Sequence, residues 1–221
     1  MARFRCLLLI TVLAVTTQPA CAAIRITEWM YNGGGDGSIG EFVELTNLGA
    51  AAVDFTGWSF DDSSGVPGSQ SLSGFGVVAP GESVIFTDRS AADFRTNWNL
   101  AATVKVVGGN TNNLGRADEI NIYDAGNSLA DRLVYGDQSI AGSIRTQLVS
   151  GNPTSPAALG ANNVLLWSLS AAGDAFGSTS SVANELGNPG RFMIPEPASL
   201  ALVANIFLVA CGLRRRAKDA N

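Results

Sequence analysis

From residue 24 to residue 135 the apolar positions recur with a period of two in short runs, each closed by Gly, Asn, Asp, Ser or Pro. Val43 and Leu45 share a face, as do Val84 and Phe86, and Ile120 and Ile122, which is the alternation of a half-buried strand. The pattern predicts strands near 24–31, 41–47, 57–61, 76–78, 83–87, 103–107, 119–123 and 129–135, with one short helix over 91–98. Such spacing predicts an all-β antiparallel sandwich rather than a parallel sheet wrapped in helices. Trp29, Trp58, Phe60 and Phe75 are the bulky fillers its core needs. Pro80-Gly81 signals a turn, and Asp124-Ala125-Gly126-Asn127 joins two strands as a hairpin loop.

After Tyr135 the chain turns rich in Ser, Ala, Gly and Asn, with an apolar patch at 164–169 around Trp167 and a Gly187-Asn188-Pro189-Gly190 turn near its end. Two expectations stay open for this stretch. It is either an extended arm that lays Trp167 on the sandwich or a disordered spacer, although Leu165, Leu166 and Trp167 together are costly to expose.

The two ends carry different patterns. Arg3 and Arg5 precede an apolar run over 6–15, then Ala20-Cys21-Ala22. These are the regions of a secretory signal, with cleavage expected after Ala22 or Ala23. Gln18 and Pro19 argue against a lipoprotein built on Cys21. At the other end Pro195-Glu196-Pro197 leads into an apolar run over 198–213 and then Arg214-Arg215-Arg216. As a helix that run spans about 24 Å, short of the roughly 30 Å hydrocarbon layer, and the arginines are expected to stay cytoplasmic.

This order of motif, thin helix and basic end resembles the PEP-CTERM sorting signal of Gram-negative bacteria. The resemblance implies recognition by an exosortase, a membrane transpeptidase, and delivery to the cell surface. The alternative is an ordinary membrane anchor. The expected organisation is therefore a signal peptide over 1–22, a sandwich over 23–136, an arm packing on it over 137–190, and a sorting tail over 191–221 with its membrane helix at 198–213.

A second resemblance rests on Gly40-Glu41-Phe42-Val43-Glu44-Leu45-Thr46-Asn47, then Gly57-Trp58 with Phe60 and Asp62, Pro80-Gly81-Glu82, Glu119-Ile120 and Leu133-Val134-Tyr135. These residues look like the lamin-tail domain. That family implies an immunoglobulin-like β-sandwich and says little about the task.

Composition narrows the chemistry. The sequence has no histidine, which removes Ser-His-Asp and Cys-His catalysis and histidine-based zinc sites. Its three cysteines fall in the signal (Cys6, Cys21) and the terminal helix (Cys211), so the exported portion has neither thiolate nor disulfide. Setting aside Arg3, Arg5, Arg214, Arg215, Arg216, Lys218 and Asp219 leaves eight basic and eighteen acidic residues, a net charge of −10 against −5 for the whole chain. An acidic surface repels polyphosphates, so nucleic acid is not an expected partner.

Lys105 reads as a solvated strand lysine rather than half of a Ser-Lys dyad. Gly35-Asp36-Gly37-Ser38-Ile39-Gly40 fits G-x-G-x-x-G, but it leads into a strand and lacks the helix N-terminus that cradles phosphate. The remaining candidates are carboxylates: Glu28, Glu41, Glu44, Asp61 and Asp62. They suit backbone satisfaction at a sandwich edge. Glu41, Glu44, Asp61 and Asp62 are also weak candidates for Ca²⁺, and paired carboxylates can hydrolyse glycosides. The expectation is a non-enzymatic surface or matrix protein with no cofactor, passing through exosortase and membrane. One alternative is a binding module for polysaccharide or surface proteins through loops 61–70 and 108–118, with or without Ca²⁺. Another is an extracellular hydrolase working by carboxylates alone.

Overall fold

The structure, a computed structural model, describes residues 24–34 and 40–193. The signal residues Ala20 and Ala22, the tail residues Pro195, Glu196, Pro197, Arg214, Arg215 and Arg216, and most of the glycine-rich loop lie outside them. The described strands are β1 (Ile24–Met30), β2 (Phe42–Asn47), β3 (Val53–Asp54), β4 (Ser59–Asp61), β5 (Gln70–Ser71), β6 (Val77–Val78), β7 (Ser83–Thr87), β8 (Lys105–Val107), β9 (Ala117–Tyr123), β10 (Leu129–Gly136), β11 (Gly151–Pro153), β12 (Trp167–Leu169), β13 (Thr179–Ser180) and β14 (Leu186–Gly187). One α-helix, α1 (Ala91–Trp98), stands between β7 and β8.

A six-stranded sheet in the order β12-β11-β1-β2-β7-β8 faces a four-stranded sheet in the order β10-β9-β4-β5. Two short ribbons, β3-β6 and β13-β14, complete the described strands. Between the sheets lies one core containing Val43, Leu45, Val84, Phe86, Ile120, Ile122 and Leu133. Trp29 packs on Tyr135 with ring centres 3.9 Å apart, and Phe60 on Phe86 at 4.5 Å, so aromatic pairs bridge the two layers.

The eight strands expected from the alternation are present, several with shorter bounds: 57–61 begins at Ser59 and 103–107 at Lys105. One ladder departs from the antiparallel expectation. β8 runs parallel to β7, because the intervening α1 carries the chain back to the starting end, as a parallel pair requires. α1 forms where the sequence places it. Its Ser90 cap accepts from the Asp93 N–H at 3.1 Å, and Asn99 ends it in the left-handed region at φ 51°.

The outer face of the large sheet is also covered. Met30, Phe42 and Ile85 point outward and pack on Phe94 and Trp98 of α1 as a second apolar cluster. This explains why all six residues of β2 are buried although half of them face away from the sandwich core. Residues after Tyr135 contribute β11 and β12, which extend the large sheet beyond β1 and bring Trp167 and Val164 into the main core. From Ser170 to Met193 the chain then crosses the outer face as a strap.

Candidate functional site: buried carboxylates beneath a C-terminal strap

A β-bulge in β1 creates the site. Ile26 pairs with Leu45, Thr27 has no partner of its own in the register, and Glu28 then pairs with Glu44. One extra residue reverses the facing of everything after it. Trp29 turns into the core, while Glu28 joins Glu44 on the outer face. Both glutamates have no solvent exposure.

Each is held by hydrogen bonds. Glu44 accepts from the Thr27 hydroxyl through Oε1 at 2.7 Å and from the Gly190 N–H through Oε2 at 2.6 Å. Glu28 Oε1 accepts from the Ser150 hydroxyl and, at 2.8 Å, from the Asn188 N–H. A polar network continues through Ser170, Asn152 and Asn188. The two glutamates thus grip the backbone of the Gly187-Asn188-Pro189-Gly190 turn. Gly187 is needed there because a Cβ would stand 2.7 Å from Glu28 Oε1 and 2.8 Å from Ser150 Oγ.

A third carboxylate, Glu185, has no solvent exposure and ties the strap to α1 and to the glycine-rich loop. It accepts from the Gly34 N–H at 2.6 Å, the Asn97 amide at 2.6 Å and the Ser181 hydroxyl at 2.8 Å, with Arg89 at 3.5 Å. Asn97 in turn receives the Val182 and Ala183 N–H groups. Sequence reasoning missed Glu185, Ser150 and Asn152, since each lies in a stretch with no period or motif, and it missed Asn97 because the expected helix over 91–98 gave no sign of what its polar residues would hold.

Glu41 and Asp61 do different work. Glu41 accepts from the Leu114 N–H at 2.6 Å and the Asn110 amide at 2.8 Å, while Asp61 accepts from Asn112 at 2.8 Å, Ser64 at 2.7 Å and the Val66 N–H at 2.6 Å. They flank one loop, 108–116, and hold it from opposite sides. Asp62 organises its own turn by accepting the Ser64 N–H at 3.0 Å. The structure therefore brings Glu28 and Glu44 together, sets Glu41 and Asp61 across a loop, and leaves Asp62 in a local turn. Among the described residues no group of three or more acidic, histidine or cysteine side chains is arranged to hold a metal ion. Lys105 pairs with Glu82 at 3.0 Å and donates to the Val77 carbonyl.

Burial governs the electrostatics. It lifts Glu41 from 4.5 to about 8 and Glu44 from 4.5 to about 7, and it pushes Glu28 well above the carboxylate range, with repulsion from Glu44 adding to the effect. Burial acts on Asp61 in the same direction, yet the hydrogen bonds from Val66, Ser64, Ser69 and Asn112 outweigh it and hold that carboxyl low. Glu28 and Glu44 lie sealed under the strap with no solvent exposure. Their chemistry is to order backbone.

Fold and site define a class: an immunoglobulin-like binding or structural module that clasps its own C-terminal segment. Residues 17–137 match the lamin tail domain, more than half of the 221-residue chain, and the chain belongs to that family, an immunoglobulin-like domain and not a known enzyme family. Neither the curated proteins nor the solved structures provide a match. The matched segment ends at β10, so β11, β12 and the strap are additions to it.

The family block at 40–47 now has a physical reading. Val43 and Leu45 fill the sandwich, Phe42 seats α1, Glu41 holds a loop, Glu44 holds the strap, and Asn47 braces a corner. Its amide donates to the Ala51 and Val78 carbonyls at 2.9 and 3.0 Å, and its oxygen accepts the Gly49 N–H at 3.0 Å.

Proposed function

We propose that the chain is an exported, non-enzymatic structural module of the cell surface or extracellular matrix, delivered by an exosortase acting on Pro195, Glu196, Pro197 and the arginines 214–216. The observation that carries this reading is the clasp itself. Asn188 and Gly190 are bonded to Glu28 and Glu44 only seven and five residues before Pro195, so any tether at the tail pulls on the central strands of the large sheet. A module that must stay folded while fixed by its C-terminus needs that connection. Fractionation of the native cell followed by intact-mass analysis tests it. The expected result is a domain at the surface or in the matrix that has lost the signal peptide and residues 198–213. A whole chain retained in the inner membrane overturns it.

A second reading, a polysaccharide-binding module, draws on one feature. A cleft of about 320 Å³ between β1, β10 and the arm is lined by Arg25, Arg132, Asp131 and Asn162, two guanidinium groups on an otherwise acidic domain. Titration with an acidic polysaccharide checks it, with Arg25→Gln expected to weaken binding. Calcium enters this reading if it raises the thermal midpoint and a chelator reverses the effect.

A further inference from the structure

Three side chains, Asn152 on β11, Glu28 on β1 and Glu44 on β2, form a row across the outer face of the large sheet. Glu28 pairs with Glu44 on one side. On the other, the pairing of Trp29 with Gly151 sets Glu28 opposite Asn152. Opposed residues in such a ladder hold their Cβ atoms about 4.5–5.5 Å apart, and like charges placed there repel.

Among the described residues, the groups facing the pair offer no cation. β2 and the bulge contribute Glu44 and Thr27, β7 contributes Ser83, and β11 with the residue before it contributes Asn152 and Ser150. The strap contributes the Asn188 and Gly190 N–H groups and the Asp174 charge, which adds repulsion, while Arg191 reaches Glu44 through its backbone N–H. α1 contributes Trp98, beside Gly187. Among the described hydrogen bonds and ion pairs, neither glutamate receives an arginine or lysine side chain. Two buried charges left in this way are very costly.

Both oxygens of Glu44 accept bonds. Glu28 Oε2 and Asn152 Oδ1 are buried and accept none. The amide of Asn152 is not free to turn over. Asn188 donates through Nδ2 to the Arg191 carbonyl at 3.0 Å, so its Oδ1 faces Asn152, which must present its own Nδ2 at 3.0 Å. Two acceptors are thus left with no donor, and both residues are buried, Glu28 at 0% and Asn152 at 1% exposure. One proton on Glu28 converts an acceptor into a donor and removes a charge at the same time.

We infer that Glu28 is a neutral carboxylic acid in the folded protein, its Oε2 proton donated to Asn152 Oδ1, and that this proton is the condition for the strap to close over the Glu28–Glu44 row. Loss of the proton places a second charge in the row, which water must then reach, and the strap opens. Residues 185–193 are therefore an alkali-sensitive latch between the sandwich and the tail. The latch stands independently of the export reading, because it depends only on described side chains.

Carbon-13 NMR of the glutamate carboxyls in the full chain tests the protonation, and amide exchange at Asn188 and Gly190, corrected for intrinsic rate, reports strap closure. Glu28 is expected to remain neutral at about pH 7. Glu28→Gln keeps a donor at that position and carries no charge, so its strap amides are expected to stay protected at about pH 9, where the natural chain loses about tenfold or more in protection. A Glu28 carboxyl that titrates in the ordinary carboxylate range overturns the inference, as does a Glu28→Gln strap that opens with alkali like the natural one. A thermal midpoint raised by Ca²⁺ and lowered by chelator, with the effect lost in Glu28→Gln, also overturns it by placing a cation where the proton is inferred. Should Glu28→Gln fail to fold, the carboxyl titration of the natural chain decides alone.

Discussion

Glu28 and Glu44 stand directly opposite each other across β1 and β2, both fully buried, and each accepts a backbone N–H from the turn that precedes the tail. The pair is the seat of the strap, and the sandwich beneath it is braced by the same two strands.

Stability is expected to fall as pH rises from about 5 to about 9. Glu44 is lifted to about 7 and Glu41 to about 8, chiefly by burial, against roughly 4.3 in an unfolded chain. A carboxyl whose pKa is raised in the fold contributes stability that is complete below its unfolded pKa and is lost as pH rises through its folded one. Asp61 and Asp174, held low by their hydrogen bonds despite burial, act in the opposite sense, and their contribution is lost in strong acid. Calorimetric melts across this range check the sign, and a midpoint that climbs toward pH 9 would contradict it.

Replacing Gly187 by Ala is expected to cost about 1–3 kcal/mol, the usual penalty for overpacking a closed site. The added methyl meets Glu28, Ser150 and Trp98 together. Denaturant unfolding gives the magnitude, and reduced protection at Asn188 and Gly190 shows that the strap is where the loss falls.

A chain ended after residue 137, the limit of the family match, is expected not to form a stable sandwich. It lacks β11 and β12, leaves the outer edge of β1 unpaired, and removes Trp167, Val164 and Ala158 from the core. Circular dichroism and gel filtration beside a chain ended after residue 193 test this. Equal melting of the two would show the additions to be dispensable.

Asn47→Ala is expected to destabilise by about 2–3 kcal/mol, because it leaves the buried Val78 carbonyl without its donor and removes two further backbone contacts. Lys105→Met provides the contrast. Its ion pair with Glu82 is about one-third exposed, and less than about 1 kcal/mol is expected from its loss. Thermal melts of both variants rank them, and a larger effect at Lys105 would refute the ordering.

The regular strands were legible because Val43, Leu45, Val84, Phe86, Ile120 and Ile122 alternate over solid core, and α1 lies over the short stretch where a helix is expected. β11 and β12 were not, since Gly151-Asn152-Pro153 has no strand propensity and pairs only because β1 presents an open edge. The parallel β7-β8 ladder was equally hidden, as direction depends on how α1 packs. Of the carboxylates, Glu41, Glu44, Asp61 and Asp62 were visible as types in a motif. Their division into strap holder, loop braces and turn former was not.

By itself the sequence determined the class of fold, through alternation and the Gly40–Asn47 block, and it excluded histidine chemistry by composition. Only the tertiary structure decided what the glutamates do. A single bulge at Thr27 turns Glu28 from the core side to the outer face, and local propensity does not encode which face a residue takes after a bulge. Partners 160 residues apart, Glu28 and Asn188, meet only once the strap has crossed the sheet, because burial and hydrogen-bond demand act between segments that no window along the chain contains.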